Sequence, residues 1–257
     1  MMKEAVKARV RDALSKRGLS LQREIASDYS PATVDTIRTV RPFTMTTVDR
    51  IEAVCAATEY ILEYDIPGAF VESGVWMGGS SMAAALTLVK NGVTDRDFYM
   101  FDTFEGIPAP GEHDALIGGD HESLVKWWNR ENSKKNAAPW LDAPVEKVRE
   151  NMASTGYDLE HVHTFPGLVE DTVPANAPEQ IAFLRLDTDY YSSTKVELEV
   201  MFPRLSPGGV LIIDDYGYTA GTRKAVDEFL AGYPDPLFLN RIDKCGRLVI
   251  KPGVAKA

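Results

Sequence analysis

Cysteine is scarce in this sequence, which contains only Cys55 and Cys245. The two residues lie far apart and belong to no Cys-x-x-Cys or Cys/His pattern, so neither a disulfide framework nor a zinc site is indicated and two buried thiols are expected. Long apolar runs are also missing, because no stretch approaches the roughly 18 residues that a membrane-spanning helix needs. The N-terminal stretch MMKEAVKARVRDALSKRG has basic residues but no apolar signal core. We therefore expect a cytoplasmic protein.

Positive charge is in deficit. The sequence has 28 Lys and Arg against 38 Asp and Glu, which gives a formal net charge of −10 at pH 7. A chain this acidic is not expected to bind nucleic acid or an anionic membrane. The predicted partner is instead a small molecule or a cation.

From residue 68 onward, short apolar runs alternate with longer helical stretches, which is the pattern of βαβ units around a parallel sheet. We predict five parallel strands, followed by an antiparallel hairpin with its turn near residues 244–246. The predicted strands are 68–73, 97–102, 161–167, 181–187 and 209–215, and the predicted intervening helices include 80–92, 192–205 and 221–233. The sequence thus predicts an α/β fold with a mostly parallel sheet.

Two further segments surround this core. Residues 1–65 predict an N-terminal helical extension to a main domain of residues 66–257, and we expect the extension to cover the site and to contribute to a homo-oligomer, a dimer or larger. Residues 103–160 separate the second and third strands and are rich in Gly, Pro, His and Trp. A connection this long usually has a function, so we predict a lid at about residues 105–142.

Acidic residues stand at the ends of four predicted strands, namely Glu72, Asp102, Asp187 and the pair Asp214 and Asp215. Ligands bind outside the carboxyl ends of strands in open parallel sheets, so these side chains are expected to share one rim. If the fourth and fifth strands are neighbours, about 4.8 Å apart, the three aspartates can coordinate one ion. Carboxylates without Cys or His suit Mg²⁺ or Mn²⁺. The alternative is that these strand ends simply meet solvent.

The stretch VESGVWMGGSS, residues 71–81, predicts a Gly-rich turn between a strand and a helix, where a ligand can approach the backbone closely. It departs from the G-x-G-x-x-G pattern of dinucleotide sites, because Trp76 stands in the place of the second glycine. Asp102, at the end of the second strand, can accept hydrogen bonds from ribose hydroxyls. Together these features indicate a nucleoside-bearing cofactor without a required diphosphate, beside a metal.

The chain resembles the macrocin O-methyltransferase (TylF-type) family over about residues 41–250. The resemblance rests on RPFTMTTVDRI, FVESGVWMGGSS, FDTFEGIP, FLRLDTDYYSSTKVELE and RLSPGGVLIIDDYG, in that order. It implies a Rossmann-like class I methyltransferase fold and a metal-dependent transfer of a methyl group from S-adenosylmethionine to a sugar hydroxyl of a glycosylated natural product in antibiotic biosynthesis. The aglycone is left open among a macrolide, an aminocoumarin and an enediyne such as calicheamicin.

The resemblance also assigns roles to single residues. It implies metal ligands at Asp187, Asp214 and Asp215, and a general base at Asp189. It implies cofactor contacts at Thr44, Met45, Glu72, Gly74, Ser80, Asp102 and Gly167. Trp76 is added because it lies in the predicted cofactor turn, where it is expected to line the site.

Several alternatives stay open at this point. Asp189 can instead cap the helix that follows it, since Asp is a favoured N-cap residue. His113 and His121 in the lid are the other candidate bases, although solvation or substrate binding is the commoner role of such residues. The tryptophans of the lid, Trp127, Trp128 and Trp140, can stack on the acceptor or simply pack, with packing slightly favoured.

Two other function classes also remain open. A NAD-dependent oxidoreductase would use the same rim, but it would need glycines that the turn at 71–81 lacks. A non-catalytic Mg²⁺- or nucleotide-binding module would keep the acids without needing Asp189 or an aromatic lid.

Overall fold

The computed structural model describes residues 25–132 and 143–253, which form a seven-stranded sheet with helices on both faces. The strands are β1 (Ala69–Ser73), β2 (Phe98–Asp102), β3 (Val162–Pro166), β4 (Ile181–Leu186), β5 (Leu205–Ile213), β6 (Asn240–Arg241) and β7 (Arg247–Ile250). The α-helices are α1 (Pro31–Val40), α2 (Val48–Glu63), α3 (Gly79–Lys90), α4 (His121–Asn132), α5 (Val145–Ala153), α6 (Val169–Asn176), α7 (Tyr191–Met201) and α8 (Ala220–Gly232).

The strand order is β3-β2-β1-β4-β5-β7-β6, with the first five strands parallel and the last two antiparallel. This confirms the predicted α/β fold, the five parallel strands and the closing hairpin. Strand β5 begins at Leu205, earlier than predicted, because Leu205 pairs with Ile181 at the start of β4. The neighbouring position of β4 and β5 satisfies the condition under which Asp187 was expected to meet Asp214 and Asp215.

Alternate side chains of each strand enter different cores on the two faces of the sheet. In β1, Phe70 packs in the core beneath α1, α2, α3 and α5, whereas Val71 packs in the core beneath α6, α7 and α8. All five residues of β1, including the polar Glu72 and Ser73, are buried, because a central parallel strand is covered on both faces of the sheet. The charged residues on these strands therefore lie in surroundings where each needs a partner.

The described part of the N-terminal segment packs onto the main sheet. Thr47 caps α2 by accepting a hydrogen bond from the backbone N–H of Arg50, and α2 then packs on α3 and against β4 and β5. This placement brings Thr46 and Arg50 to the carboxyl ends of β4 and β5, next to Asp214. Residues 1–24 lie outside the described residues, so the predicted division at residue 65 stays a prediction.

The described part of the lid consists of a loop and α4. Asp120 caps α4, because its carboxylate accepts hydrogen bonds from the N–H and the hydroxyl of Ser123 at 2.8 and 2.9 Å. Residues 133–142, which include Trp140, lie outside the described residues. Among the helices that the structure describes, none has the length and apolar character needed to cross a membrane.

Candidate active site

A cavity of about 690 Å³ opens at the carboxyl ends of β1, β2, β4 and β5. All the metal ligands and cofactor contacts predicted from the sequence, and the predicted base Asp189, line it: Thr44, Met45, Glu72, Gly74, Trp76, Ser80, Asp102, Gly167, Asp187, Asp189, Asp214 and Asp215. These residues come from the segment before α2, the ends of four strands, the turn after β1 with the start of α3, and the turn after β3. The parallel arrangement thus brings to one place residues that are widely separated in the sequence.

The Gly-rich turn after β1 lies directly against the end of β4. Gly74 has a φ of 80°, and a Cβ atom built on it would lie 1.9 Å from the carbonyl oxygen of Asp187, so only glycine fits there. Trp76 also adopts a left-handed backbone conformation, with a φ of 46°, and its side chain lines the cavity as expected. The backbone of the turn, which forms part of the cavity wall, therefore packs directly against the backbone of Asp187, the first predicted metal ligand.

Asp102 braces this same turn. Its Oδ2 accepts hydrogen bonds from the backbone N–H groups of Val75 at 2.6 Å and Trp76 at 2.9 Å, and its Oδ1 accepts one from Phe104 at 2.8 Å. The hydroxyl oxygen of Thr103 lies 3.3 Å from Oδ1 but only 2.6 Å from the carbonyl oxygen of Gly106. The hydroxyl has a single proton, and it donates that proton in a hydrogen bond to Gly106. Oδ1 therefore keeps room for one more donor, such as a ribose hydroxyl.

A buried arginine connects the acids of β1, β4 and β5. Arg185 is 2% exposed, and one guanidinium nitrogen donates to Glu72 at 2.6 Å. The other terminal nitrogen lies 2.9 Å from both Asp187 Oδ2 and Asp214 Oδ1. Burial alone would lower the pKa of Arg185, but the charges of Asp187, Asp214 and Glu72 outweigh it and raise that pKa well above its ordinary value. Arg185 therefore stays charged and offsets part of the acidic cluster.

Glu72 has both carboxylate oxygens occupied. One accepts from Arg185, and the other accepts from the N–H of Ser81 at 3.1 Å and from the Ser81 hydroxyl. Burial raises the pKa of Glu72 although Arg185 and Ser81 oppose the change. Glu72 lines the cavity, yet within the chain it acts first as the partner of Arg185 and Ser81.

A second arginine reaches the cluster from α2. Arg50 pairs with Asp214 through Nη1, and its Nε lies 2.9 Å from Asp243 in the hairpin between β6 and β7. The hydroxyl of Thr46 donates to the same Oδ2 of Asp214 at 3.0 Å. Asp214 therefore ties the N-terminal segment and the C-terminal hairpin to the end of β5.

The three predicted metal ligands come together. Asp187, Asp214 and Asp215 each offer an oxygen within 4.8 Å of the others, and no other such cluster of His, Cys, Asp or Glu occurs among the residues that the structure describes. Asp214 Oδ1 and Asp215 Oδ2 are buried without a hydrogen-bond donor, since the approach of Arg185 to Asp214 lacks hydrogen-bond geometry. Burial and mutual repulsion raise the pKa values of Asp187 and Asp215 well above their ordinary range. Carboxylate oxygens that lack a hydrogen-bond donor suit a hard divalent cation.

Asp189 bends toward this cluster. Its φ of 64° is in the left-handed region, which Asp tolerates better than most residues. Its side chain lies within hydrogen-bond reach of Asp215, and burial, followed by the charge of Asp187, raises its pKa to about 7. The N-cap of α7 is Tyr190 rather than Asp189, so the alternative role of Asp189 as a cap is wrong.

A second buried acid lies below the cluster, on α7. Glu197 is fully buried, and its Oε2 accepts a hydrogen bond from Thr188 at 3.1 Å. Burial raises its pKa from an ordinary value of 4.5 to about 8, against the opposing effect of the Thr188 hydrogen bond. Between these two pH values the folded state keeps a proton that the unfolded state has lost. The stabilisation is therefore complete below pH 4.5 and is lost as the pH rises through 8.

We predict that Glu197→Gln raises the melting temperature at pH 8 and leaves it nearly unchanged at pH 4.5. Gln has the shape of the protonated acid but no charge to bury. The free energy of unfolding gained by the variant over the wild type should therefore grow by up to about 1.4 kcal/mol per pH unit as the pH rises between these values. Thermal unfolding over that pH range measures the effect. Glu199→Gln, on the exposed face of the same helix, is the matched control and should show no such slope. Equal slopes for the wild type and Glu197→Gln would contradict the prediction.

The histidines of the lid lie away from the cavity lining. His113 contacts the ring of Tyr191 edge-on at 4.6 Å, and Nδ1 of His121 lies 2.9 Å from the carbonyl oxygen of Asp114. Neither histidine is among the lining residues, whereas Asp189 is. The geometry therefore favours Asp189 over the lid histidines as a base.

Two other expectations need correction. Trp127 lines the cavity, and Trp128 donates to the carbonyl oxygen of Ile107 at 3.1 Å, so these partly exposed tryptophans are not packed into the core as slightly favoured. Cys55 is buried as expected, but Cys245 is only partly buried and lines the cavity. The exposure of Cys245 arises because it lies in the turn of the terminal hairpin, beside Gly246.

Sequence reasoning missed the two arginines. Arg185 had a visible signal, since it is a charged residue in the middle of the apolar run IAFLRLD. Arg50 had none, because its partner Asp214 is 164 residues away and only the packing of α2 brings them together. The arginines, and not only a metal, therefore offset the adjacent charges of Asp214 and Asp215.

The family model for macrocin-O-methyltransferase (TylF) matches residues 5–249. The chain belongs to the macrocin O-methyltransferase (TylF) family. A 4'-O-methyltransferase of 8-demethyl-8-(2,3-dimethoxy-alpha-L-rhamnosyl)-tetracenomycin C from Streptomyces olivaceus is 36% identical over 205 residues, which are 79% of this chain and 73% of the relative. A demethyldecarbamoylnovobiocin O-methyltransferase from Streptomyces niveus is 35% identical with the same coverage.

Structural similarity agrees with the TylF assignment. The solved structure of the O-methyltransferase NovP superposes with a TM-score of 0.71 at 32% identity, and the match covers 82% of this chain and 83% of NovP. The class I O-methyltransferase fold implied by the sequence is thus confirmed. The chain is an O-methyltransferase by family, and dependence on S-adenosylmethionine follows from that family and fold.

Proposed function

We propose that the protein transfers the methyl group of S-adenosylmethionine to a sugar hydroxyl of a glycosylated natural product, with a divalent metal held by Asp187, Asp214 and Asp215. The relatives named above are O-methyltransferases of a rhamnosylated tetracenomycin C and of demethyldecarbamoylnovobiocin. The observation that carries the proposal is the meeting, in one cavity, of three aspartates, two of them with buried oxygens that lack a donor, and a Gly-rich turn of the kind expected at a cofactor site.

The charge of the cavity supports this reaction over its alternatives. Seven acidic residues and two arginines line it, and no other Asp, Glu, Lys, Arg or His is among its lining residues in the part of the chain that the structure describes. A cavity with this excess of negative charge favours cations, and both a divalent metal and the sulfonium of S-adenosylmethionine are cations. The diphosphate of NAD would face the same carboxylates unfavourably, which disfavours the oxidoreductase alternative.

The residues fit a metal of the Mg²⁺ type, because buried carboxylate oxygens without donors converge there and neither His nor Cys belongs to the cluster. A bound divalent ion supplies positive charge that makes an adjacent hydroxyl more acidic. Asp189, within reach of Asp215, is our proposed general base. The reaction breaks the bond between sulfur and the methyl carbon, forms a carbon–oxygen bond, and transfers the hydroxyl proton to Asp189.

The cofactor contacts are proposed from the lining of the same cavity. Asp102 Oδ1, which keeps room for a donor, would accept from the ribose, with Gly167 beside the adenine. Thr44, Met45, Glu72, Gly74, Trp76 and Ser80 would surround the methionine end. A cytoplasmic location, a homo-oligomeric state and the assignment of the lid to acceptor binding remain predictions from the sequence.

A transfer assay tests the proposed function. S-adenosylmethionine with an isotopically labelled methyl group is incubated with the rhamnosylated tetracenomycin and with demethyldecarbamoylnovobiocin, and the methylated position is assigned by NMR. Thermal shift with S-adenosylmethionine, NAD and Mg²⁺ separates the alternatives. Stabilisation by NAD but not by S-adenosylmethionine would favour an oxidoreductase, and ligand binding without transfer to any glycoside would favour a binding module.

Metal removal is expected to reduce turnover at least about tenfold, because the acceptor hydroxyl would lose the cation that makes it more acidic and would face only the carboxylates of the cluster. Treatment with EDTA followed by Mg²⁺ addition measures the loss and its recovery. Asp215→Asn should weaken Mg²⁺ binding in calorimetry, since it deletes a charged ligand and keeps its shape. Asp235→Asn, at an exposed position, is the control. Full turnover in EDTA would show that the metal role is wrong.

A further inference from the structure

Asp114 is an acid of the lid that none of the chemistry above uses, and it is 1% exposed. Its Oδ1 accepts a hydrogen bond from the backbone N–H of Tyr191, the first residue of α7, at 2.8 Å. Its Oδ2 accepts one from the N–H of Gly111 at 2.7 Å. The N-cap residue of α7, Tyr190, makes no side-chain cap of its own. A residue of the lid, 77 positions away from Tyr191, therefore caps the helix that follows the strand of Asp187.

The same carboxylate also lies against the start of α8, the helix that follows Asp214 and Asp215. Gly221 is in the first turn of α8, and a Cβ atom built on it would lie 1.9 Å from Asp114 Oδ1. The N-cap residue of α8, Thr219, makes no side-chain cap either. Two helix N-termini thus meet at one buried carboxylate, and each favours a negative charge there.

The lid residues that follow Asp114 form one wall of the cavity. Ala115 accepts a hydrogen bond from the N–H of Ala220 at 2.8 Å, and Ile117 donates to the carbonyl oxygen of Tyr218 at 2.9 Å. Between them Leu116 pairs with Thr219 as an isolated β-bridge. The side chains of Leu116, Tyr218 and Thr219 line the cavity beside Asp189 and Asp215.

We propose that Asp114 is a positioning residue, which fixes the wall formed by Leu116, Tyr218 and Thr219 relative to Asp189 by joining the lid to the N-termini of α7 and α8. This inference rests on the proposed function, because the wall has a role in catalysis only if an acceptor binds in the cavity. It also explains why Asp189 is not needed as a cap of α7, because Asp114 of the lid supplies that cap. The acceptor, and not the cofactor, is the ligand whose binding depends on this contact.

Asp114→Ala and Gly221→Ala test the inference from the two sides of the contact. Asp114→Ala removes both acceptors, whereas Gly221→Ala leaves Asp114 intact and displaces it with a methyl group. Ala is otherwise the better helix residue, so a purely local effect at position 221 would be stabilising. We expect each variant to raise the KM for the tetracenomycin or novobiocin acceptor at least fivefold. The Kd for S-adenosylmethionine should stay within twofold of the wild-type value. Amide exchange should become faster at Ile117, Ala220 and Tyr191.

Since both substitutions disrupt the same contact, the double variant should raise the acceptor KM little more than either single variant does. Asp120→Asn, which alters the exposed cap of α4 in the same lid, should leave KM and exchange unchanged. If Asp114→Ala fails to fold, Asp114→Asn and Gly221→Ala supply the measurement, because Asn keeps one of the two acceptors.

The outcomes separate this inference from the proposed function. An active wild type with unchanged acceptor KM in the Asp114→Ala and Gly221→Ala variants would overturn the inference alone. A wild type that methylates no glycoside would overturn the proposed function and, with it, the positioning role, even if amide exchange showed that Asp114 still joins the lid to α7. A rise in the Kd for S-adenosylmethionine as large as the rise in KM would also overturn the inference, because the wall would then not be specific to the acceptor.

Discussion

Arg185→Met is expected to lower the free energy of unfolding by about 3–5 kcal/mol, which corresponds to a fall in melting temperature of about 6–20 °C for a domain of this size. The substitution leaves the buried Glu72 and Asp214 and the partly buried Asp187 without the cation that lies within 2.9 Å of each. Removing one partner of a buried ion pair costs more than the pair itself contributes, because the remaining charge stays desolvated. Thermal unfolding with and without Mg²⁺ measures this effect.

Magnesium provides a second readout for Arg185. If the three aspartates bind the ion, a divalent cation should recover more of the melting temperature in Arg185→Met than it adds to the wild type, because the variant has more uncompensated negative charge. Arg185→Lys keeps the charge but has one nitrogen in place of the guanidinium fork, so an intermediate loss is expected. Arg149→Met is a control, since Arg149 binds carbonyl oxygens away from the cluster. A variant Arg185→Met that melts within about 2 °C of the wild type would contradict the prediction.

The sheet and its acidic rim could be predicted from the sequence because both depend on local patterns. An apolar run that ends in an acid marks a buried parallel strand and its carboxyl end, and parallel strands bring those ends to one edge. Glu72, Asp102 and Asp187 were found in this way, and all three line the cavity. The shared edge then followed from topology without knowledge of any side-chain contact.

The electrostatic partners could not be predicted in the same way. Arg50 meets Asp214 only because α2 packs across the sheet, and Asp114 meets Tyr191 only because the lid folds over two helix ends. Such contacts join residues far apart in sequence and leave no periodic signal. The role of Asp189 was ambiguous for this reason, since an Asp before a helix predicts a cap until another residue is seen to supply it.

Asp189→Asn is expected to reduce kcat by about 10²- to 10⁴-fold, the usual contribution of a positioned general base. Asn tolerates the left-handed backbone that Asp189 adopts, with its φ of 64°, so the bend after β4 should be kept. The amide cannot accept the proton of the hydroxyl, however. Calorimetry should therefore find binding of S-adenosylmethionine and Mg²⁺ close to that of the wild type, and Asp171→Asn, at an exposed position, should leave kcat unchanged.

The pH profile distinguishes a base from a residue that only shapes the bend. A base acts when deprotonated, so kcat should rise with pH through its pKa and then level off. In the protein without metal, burial and the charge of Asp187 raise that pKa to about 7, and a nearby divalent cation lowers it. We therefore expect the acid limb of the wild type below pH 7 and its absence in Asp189→Asn. A positioned base contributes far more than about threefold to kcat. If the variant keeps kcat within about threefold of the wild type while it binds both ligands, the base role is wrong and Asp189 only shapes the backbone bend after β4.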